Sequence, residues 1–122
     1  MPRVVHFEIS ADVPERAAAF YSNLFGWEFQ KWPGSVEYWI VVTGPNDEPG
    51  INGGMFVRKG PVGHVNTVEV PDLESALARV RELAGEVVVP KSAIPGVGYN
   101  AYCKDTEGSI FGVFQADPLA KE

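Results

Sequence analysis

One arrangement of strand, helix and further strands occurs twice along this chain, and it restricts the possible folds more than any other feature. The stretch from Val4 to Ile9 alternates as a β-strand does, which puts His6 and Glu8 on one face and apolar residues on the other. A second stretch, from His64 to Val70, also reads as a strand that opens on a histidine, 58 residues after the first histidine. A repeat of this length predicts two copies of one supersecondary unit.

Each of these strands is followed by a helix with one apolar stripe and a glycine at its end. We expect Asp12 to cap the first helix and Gly26 to end it. In the second copy we expect the cap at Asp72 and the end at Gly85. Runs of β-branched and aromatic residues follow both helices, so each copy has the predicted order β-α-β-β-β. The residues from Asp117 onward are predicted to form a loose tail.

The predicted fold is therefore α+β, with two tandem β-α-β-β-β modules at about residues 3–58 and 62–116 of a single domain. A chain of 122 residues is long enough to bury a core without disulfides. A four-stranded sheet with a helix on one face leaves its other face open. If the two sheets face each other, they form an open cleft that receives His6, Glu8 and His64.

Composition excludes several classes of partner. The net charge is −6 and basic residues do not cluster beyond Arg58 and Lys59, so nucleic acid is not an expected partner. Apolar runs are too short to span a membrane, and the chain enters its first strand without a secretory signal. Cys103 is the single cysteine, which fits a reducing, cytoplasmic location. Because sheet edges need covering, we expect a homodimer.

Several segments, taken in order, resemble the vicinal oxygen chelate superfamily, which includes glyoxalase I, bleomycin-resistance proteins and extradiol dioxygenases. The resemblance is strongest to a small glyoxalase-related branch of unassigned activity. The segments that carry it are Val-Val-His-Phe-Glu-Ile at 4–9, Glu-Arg-Ala-Ala-Ala-Phe-Tyr at 15–21, Leu-Phe-Gly-Trp at 24–27, Gly-His-Val at 63–65 and Lys-Asp-Thr-Glu-Gly at 104–108. The resemblance implies the paired-module fold and a small-molecule site in the cleft.

The resemblance also implies where a metal would bind. Glyoxalase I holds its metal with His, Glu, His and Glu from four strands, which fall here on His6, Gly54, His64 and Gly112. Because glycine offers no side-chain ligand, we do not expect glyoxalase I activity. One interpretation keeps a divalent metal on the two histidines, with Glu8 available as a third ligand. The other has no metal or other cofactor, and the histidines are hydrogen-bonded to each other, to Glu8 or to water.

The same two glycines suggest a ligand pocket. Asn52 and Phe56 share a strand face with Gly54, and Phe114 shares one with Gly112. If those faces line the cleft, the glycines leave room between two phenylalanines, and these five residues are candidate ligand contacts. Alternatively, the phenylalanines belong to the core and each glycine marks a bulge.

Two functions fit these features. The first is a small enzyme, a lyase, isomerase or dioxygenase acting on a small oxygenated compound. In this enzyme His6 and His64 polarise or deprotonate the substrate, and Glu8 is the general base or the third metal ligand. The second is a non-catalytic protein of the bleomycin-resistance type that sequesters a drug or metabolite. Fold alone does not choose between them. We therefore predict a glyoxalase/bleomycin-resistance/dioxygenase superfamily protein that acts on or binds a small organic molecule, with its activity unassigned.

Overall fold

A computed structural model describes residues 1–34, 36–60 and 62–122 of the chain. Within these ranges it has eight strands and two helices, in the α+β class predicted from the sequence, and the β-α-β-β-β order occurs twice. The elements are β1 (Arg3–Ala11), α1 (Pro14–Phe25), β2 (Glu28–Lys31), β3 (Tyr38–Val42), β4 (Gly53–Val57), β5 (Val65–Glu69), α2 (Leu73–Glu82), β6 (Glu86–Ile94), β7 (Gly98–Lys104) and β8 (Ile110–Ala116). Neither helix is long and apolar enough to cross a membrane.

The chain divides into two compact units, which are described separately. The first unit is His6–Val65, and the second is Asn66–Glu122 together with Met1–Val5. In the first unit the strand order is β2-β3-β4-β1. Strand β1 runs parallel to β4, whereas β3 pairs antiparallel with both β2 and β4. The parallel pair sets the register of the unit, because Glu8 lies opposite Gly54 and Ile9 opposite Met55.

The core of the first unit lies between α1 and one face of its sheet. Ile9, Trp39 and Met55 are buried there, and Ala17 and Tyr21 of α1 pack against them. Burying a side chain of this size stabilises the fold by roughly 1.5–3 kcal/mol. Because successive strand residues point to opposite faces, the neighbours of Ile9 along β1 point away from α1. This second face is called the open face below.

The ends of α1 are set partly as predicted. Gly26 ends the helix in the left-handed region at φ 78°, and its N–H donates to the carbonyl of Ser22 at 2.8 Å. The start differs from the prediction, because the residue at the cap position is Val13 and no side chain caps the helix. Asp12 instead forms an ion pair with Arg58 at 3.2 Å, so its carboxylate is directed to the end of β4 rather than to the helix.

The second unit has the strand order β5-β8-β7-β6, with β5 parallel to β8 and the remaining pairs antiparallel. As predicted, Asp72 caps α2, and its carboxylate accepts from the N–H of Ser75 at 3.2 Å. The buried core of this unit comprises Leu73, Leu77, Ala101, Cys103 and Val113.

The C-terminal residues are held in place, contrary to the loose tail predicted from Asp117 onward. The N–H of Asp117 donates to the carbonyl of Val97 at 2.9 Å, and the N–H of Gly96 donates to the carbonyl of Ala120 at 3.0 Å. Ala120 is also buried. These contacts dock the tail on the β6–β7 turn, and backbone hydrogen bonds of this kind leave no pattern of side chains in the sequence.

Candidate functional site

Three polar side chains meet on the open face of the first unit. His6 and Glu8 lie on β1, and Tyr38 lies on β3, with β4 between these two strands. The register places Gly54 of β4 between Glu8 on one side and Ile40 on the other. Tyr38 is two residues before Ile40 and therefore shares its face. Its side chain crosses β4 over Gly54 and reaches β1.

Hydrogen bonds join these side chains into one network. The Tyr38 hydroxyl donates to Oε2 of Glu8 at 2.8 Å. The same hydroxyl lies 3.0 Å from Nε2 of His6. Since the single hydroxyl proton points to the carboxylate, the matching histidine tautomer carries its proton on Nε2 and donates to the phenol oxygen. His6, Tyr38 and Glu8 are called the triad below.

Burial determines the charge state of the histidine in the triad. Burial lowers the pKa of His6 below its ordinary value of 6.5, while the neighbouring Glu8 carboxylate opposes this effect less strongly. The imidazole is therefore neutral near pH 7, in agreement with its role as a donor to Tyr38. Glu8 is only 5% exposed, and a buried carboxylate is tolerated when donors such as this phenol satisfy it.

The space that was predicted to be empty beside Gly54 and Gly112 is filled by neighbouring side chains. A Cβ atom at Gly54 would overlap the hydroxyl and ring of Tyr38. In the second unit, a Cβ at Gly112 would lie 2.7 Å from the Oγ1 atom of Thr67, closer than real Cβ contacts allow. The expectation of room beside these glycines was therefore wrong. Each glycine allows the close approach of a hydroxyl group from the adjacent strand.

His64 does not have the position relative to β5 that His6 has on β1. It is exposed and lies just before β5, which begins at Val65. Thr67 lies opposite Gly112, as Glu8 lies opposite Gly54 in the first unit. Counting back two residues makes Val65, not His64, the equivalent of His6. A shift of one residue along a strand moves a side chain to the other face of the sheet. The two histidines therefore repeat in the sequence but do not lie on equivalent faces.

The remaining candidate ligand contacts have different surroundings. Phe56 lies opposite Tyr38 in the register and is partly buried on the open face, next to the triad. Asn52 precedes β4, and its side-chain oxygen accepts from the N–H of Thr43 at 2.9 Å, which fixes the connection between β3 and β4. Phe114 belongs to the second unit, where it is partly buried on β8. The structure thus places Phe56 beside the triad and gives Asn52 a structural contact.

The donors present on the open face do not fit the metal set implied by the resemblance. Within the described parts of the chain, His, Cys, Asp and Glu side chains form no group of three that could hold a metal ion. Nε2 of His6 and Oε2 of Glu8 are 4.0 Å apart with the phenol hydrogen-bonded to both. The phenol oxygen lies between these two donor atoms, in hydrogen bonds that an ion bound to both of them would have to replace.

Tyr38 was missed in the sequence because its role depends on strand register. Read alone, it is one aromatic residue in a run of aromatic and β-branched residues. The available signal was Gly54, because a glycine inside a strand often marks the close approach of another group. Pairing β3 with β4 in register puts Ile40 opposite Gly54 and Tyr38 two residues away on the same face, so it leaves these two residues as the candidates.

Comparisons with known proteins identify the fold. No protein-family model matches the sequence, and no curated protein does. A glyoxalase/bleomycin resistance protein/dioxygenase superfamily member from Vibrio splendidus 12B01 is similar over 94% of this chain and 99% of its own, at 16% identity and a TM-score of 0.69. Methylmalonyl-CoA epimerase from Mycobacterium tuberculosis is similar over 94% of this chain and 88% of its own, at 12% identity and a TM-score of 0.67.

A third similar structure is a Streptomyces coelicolor methylmalonyl-CoA epimerase variant in complex with 2-nitronate-propionyl-CoA. The similarity extends over 98% of this chain and 98% of the epimerase chain, at 13% identity and a TM-score of 0.69. Together the three structures show that this chain has the vicinal oxygen chelate fold, as the sequence predicted.

Proposed function

We propose that this protein binds a small organic molecule against the open face of its first unit and that Glu8 acts there as a general base. The observation that carries the proposal is the buried Glu8 carboxylate, joined through Tyr38 to a neutral His6 on the face that α1 leaves uncovered. Convergent polar groups beside an apolar wall are typical of small-molecule sites, and Phe56 supplies such a wall here.

The chemistry that suits this site is proton transfer next to a carbonyl group. A carboxylate held in a buried position can remove a proton from carbon if the negative charge that develops on the carbonyl oxygen is stabilised. The names of two similar structures support this reaction class, because an epimerase inverts a carbon centre and proton removal and return is one route to inversion. An isomerase or lyase acting on a small carbonyl compound is therefore the proposed enzyme class.

A non-catalytic binding protein is the second candidate, and one observation favours it. Glu8 is 5% exposed and already accepts a hydrogen bond from Tyr38 at 2.8 Å, which is a stable arrangement without substrate. The same face would then hold a drug or metabolite without transforming it. In either case we propose a homodimer, which light scattering would show as about twice the chain mass of 13.3 kDa.

Deuterium exchange distinguishes the two candidates. The protein is incubated in heavy water with methylmalonyl-CoA and with a panel of small 2-oxo acids and thioesters, and loss of the carbon-bound proton is followed by NMR. Exchange that Glu8→Gln abolishes supports the enzyme, whereas tight binding without exchange supports the binding protein. Glu15→Gln, which changes an exposed carboxylate on α1, is the matched control. Exchange or binding that Glu8→Gln and Phe56→Ala leave unchanged would refute this site.

A further inference from the structure

A hydroxyl group fills the side-chain space at both positions where the resemblance implies a metal-binding glutamate. Tyr38 fills the space at Gly54 in the first unit, and Thr67 fills the space at Gly112 in the second. Each change replaces an anionic ligand with a neutral group that carries a proton. Divalent ions such as Zn²⁺ and Mg²⁺ are bound chiefly by imidazole, thiolate and carboxylate ligands, so both changes weaken metal binding.

The Tyr38 hydroxyl is held in place by more than one interaction. It donates to Glu8 at 2.8 Å, lies 3.0 Å from Nε2 of His6, and packs over a residue that has no side chain. The phenol oxygen is therefore fixed in position, and its proton can turn to the ligand's oxygen once Glu8 is protonated, with little movement of the ring. The hydroxyl also lies on the face where the proposed ligand binds.

We infer that Tyr38 binds the ligand's oxygen at this site, as hydrogen-bond donor to a carbonyl or an oxyanion, and that this binding needs no metal ion. The inference rests on the proposed function for the location of the ligand, and it adds the group that recognises the ligand and the class of ligand. That class is a small carbonyl compound or its enolate, or another molecule that carries an oxyanion.

The proton transfer balances without any further reactant. Glu8 takes a proton from the carbon next to the carbonyl, the electrons of the C–H bond form a carbon–carbon double bond, and the carbonyl electrons move to the oxygen. Once protonated, Glu8 no longer needs a donor, so the Tyr38 hydroxyl is released to the newly charged oxygen. The Nε2–H of His6 continues to donate to the phenol oxygen, which strengthens the phenol as a donor. Return of the proton to carbon restores the starting state.

The test uses 4-nitrophenol, whose absorbance spectrum distinguishes the neutral phenol from the phenolate. We expect the wild-type protein to bind it as the phenolate and Tyr38→Phe to weaken binding by about tenfold to a hundredfold, the loss expected for one hydrogen bond to a charged group. Tyr38→Phe keeps the ring over Gly54 and removes only the hydroxyl. Tyr99→Phe, which changes a half-buried tyrosine of the second unit, is the control and should bind as the wild type does.

Three results would overturn the inference. These are equal binding by Tyr38→Phe and the wild type, no binding of 4-nitrophenol by the wild type at millimolar concentration, and binding that EDTA removes and nickel restores. The nickel experiment uses the wild-type protein alone, so it holds even if Tyr38→Phe fails to fold. Deuterium exchange that depends on Glu8 but not on Tyr38 would refute this inference and leave the proposed function standing. Tyr38-dependent binding without any exchange would support the inference and refute the catalytic role.

Discussion

Gly54→Ala is expected to be strongly destabilising, because the new methyl group would overlap the Tyr38 side chain. The ring must move, and overpacking of this kind costs about 1–3 kcal/mol. The movement also breaks the hydrogen bond from Tyr38 to the Glu8 carboxylate, which is worth about 1.5–3 kcal/mol. The smaller entropy of the unfolded alanine chain offsets about 0.4–1 kcal/mol. We therefore expect the free energy of unfolding to fall by about 2–5 kcal/mol.

Urea unfolding followed by circular dichroism measures this change, and two controls test its cause. Gly63→Ala adds the same methyl group where no atom lies within 4 Å, so it should change the free energy of unfolding by less than about 0.5 kcal/mol. In a Tyr38→Ala background the overlap is absent, and Gly54→Ala should cost at least about 2 kcal/mol less than it does in the wild type. An equal cost in both backgrounds would mean that the Tyr38 ring does not lie over Gly54, and the site geometry would be refuted.

Three further predictions follow from other contacts. Burial lowers the pKa of His6 below 6.5, so the unfolded chain binds more protons than the folded protein just below that pH. The free energy of unfolding should therefore decrease from pH 7.5 to pH 5, and His6→Gln should make this decrease smaller. A decrease of the same size in His6→Gln would contradict the prediction. Gly54→Glu combined with Tyr38→Ala puts a second carboxylate beside His6 and Glu8. Calorimetry should then show one bound nickel ion, whereas the wild type should bind none. Absence of nickel binding by the double variant would mean that the side chains at positions 6, 8 and 54 do not meet. Ala120→Asp buries a charge, and should lower the free energy of unfolding by more than about 1 kcal/mol, whereas a neutral result would mean that the tail is not docked.

Local patterns in the sequence were sufficient to predict the fold. Two of the four predicted helix ends, Gly26 and Asp72, are confirmed because caps have short-range signatures. The other two are wrong, because no side chain caps α1 and α2 ends at Glu82, before Gly85. His6 and Glu8 were placed on one face because alternation along a single strand needs no tertiary information. These features survive in the structure because each depends on residues that are close in the chain.

The site was predicted only in part, because most of it depends on register between strands. Tyr38 meets Glu8 only when β3, β4 and β1 are aligned, and nothing within β3 indicates that alignment. His64 is one residue away from the position that is equivalent to His6. Because side chains alternate between the two faces of a strand, this difference is enough to make the match wrong. Gly54 and Gly112 alone predict empty space, but the side chains of the adjacent strands, Tyr38 and Thr67, decide whether that space exists.

The parallel pairing of β1 with β4 also affects how the first unit can fold. Phe7 pairs with Gly53, so the intervening chain must close into a loop before this part of the sheet forms. Long-range pairings of this kind slow folding, since the entropy of loop closure is lost before the contacts are gained. The hydrogen bonds of Tyr38 span 30 and 32 residues and require β3 and β4 to be in place. A nascent or partly refolded chain with its helix already formed would therefore still lack the triad, and recovery of 4-nitrophenol binding during refolding should lag behind recovery of the helical signal.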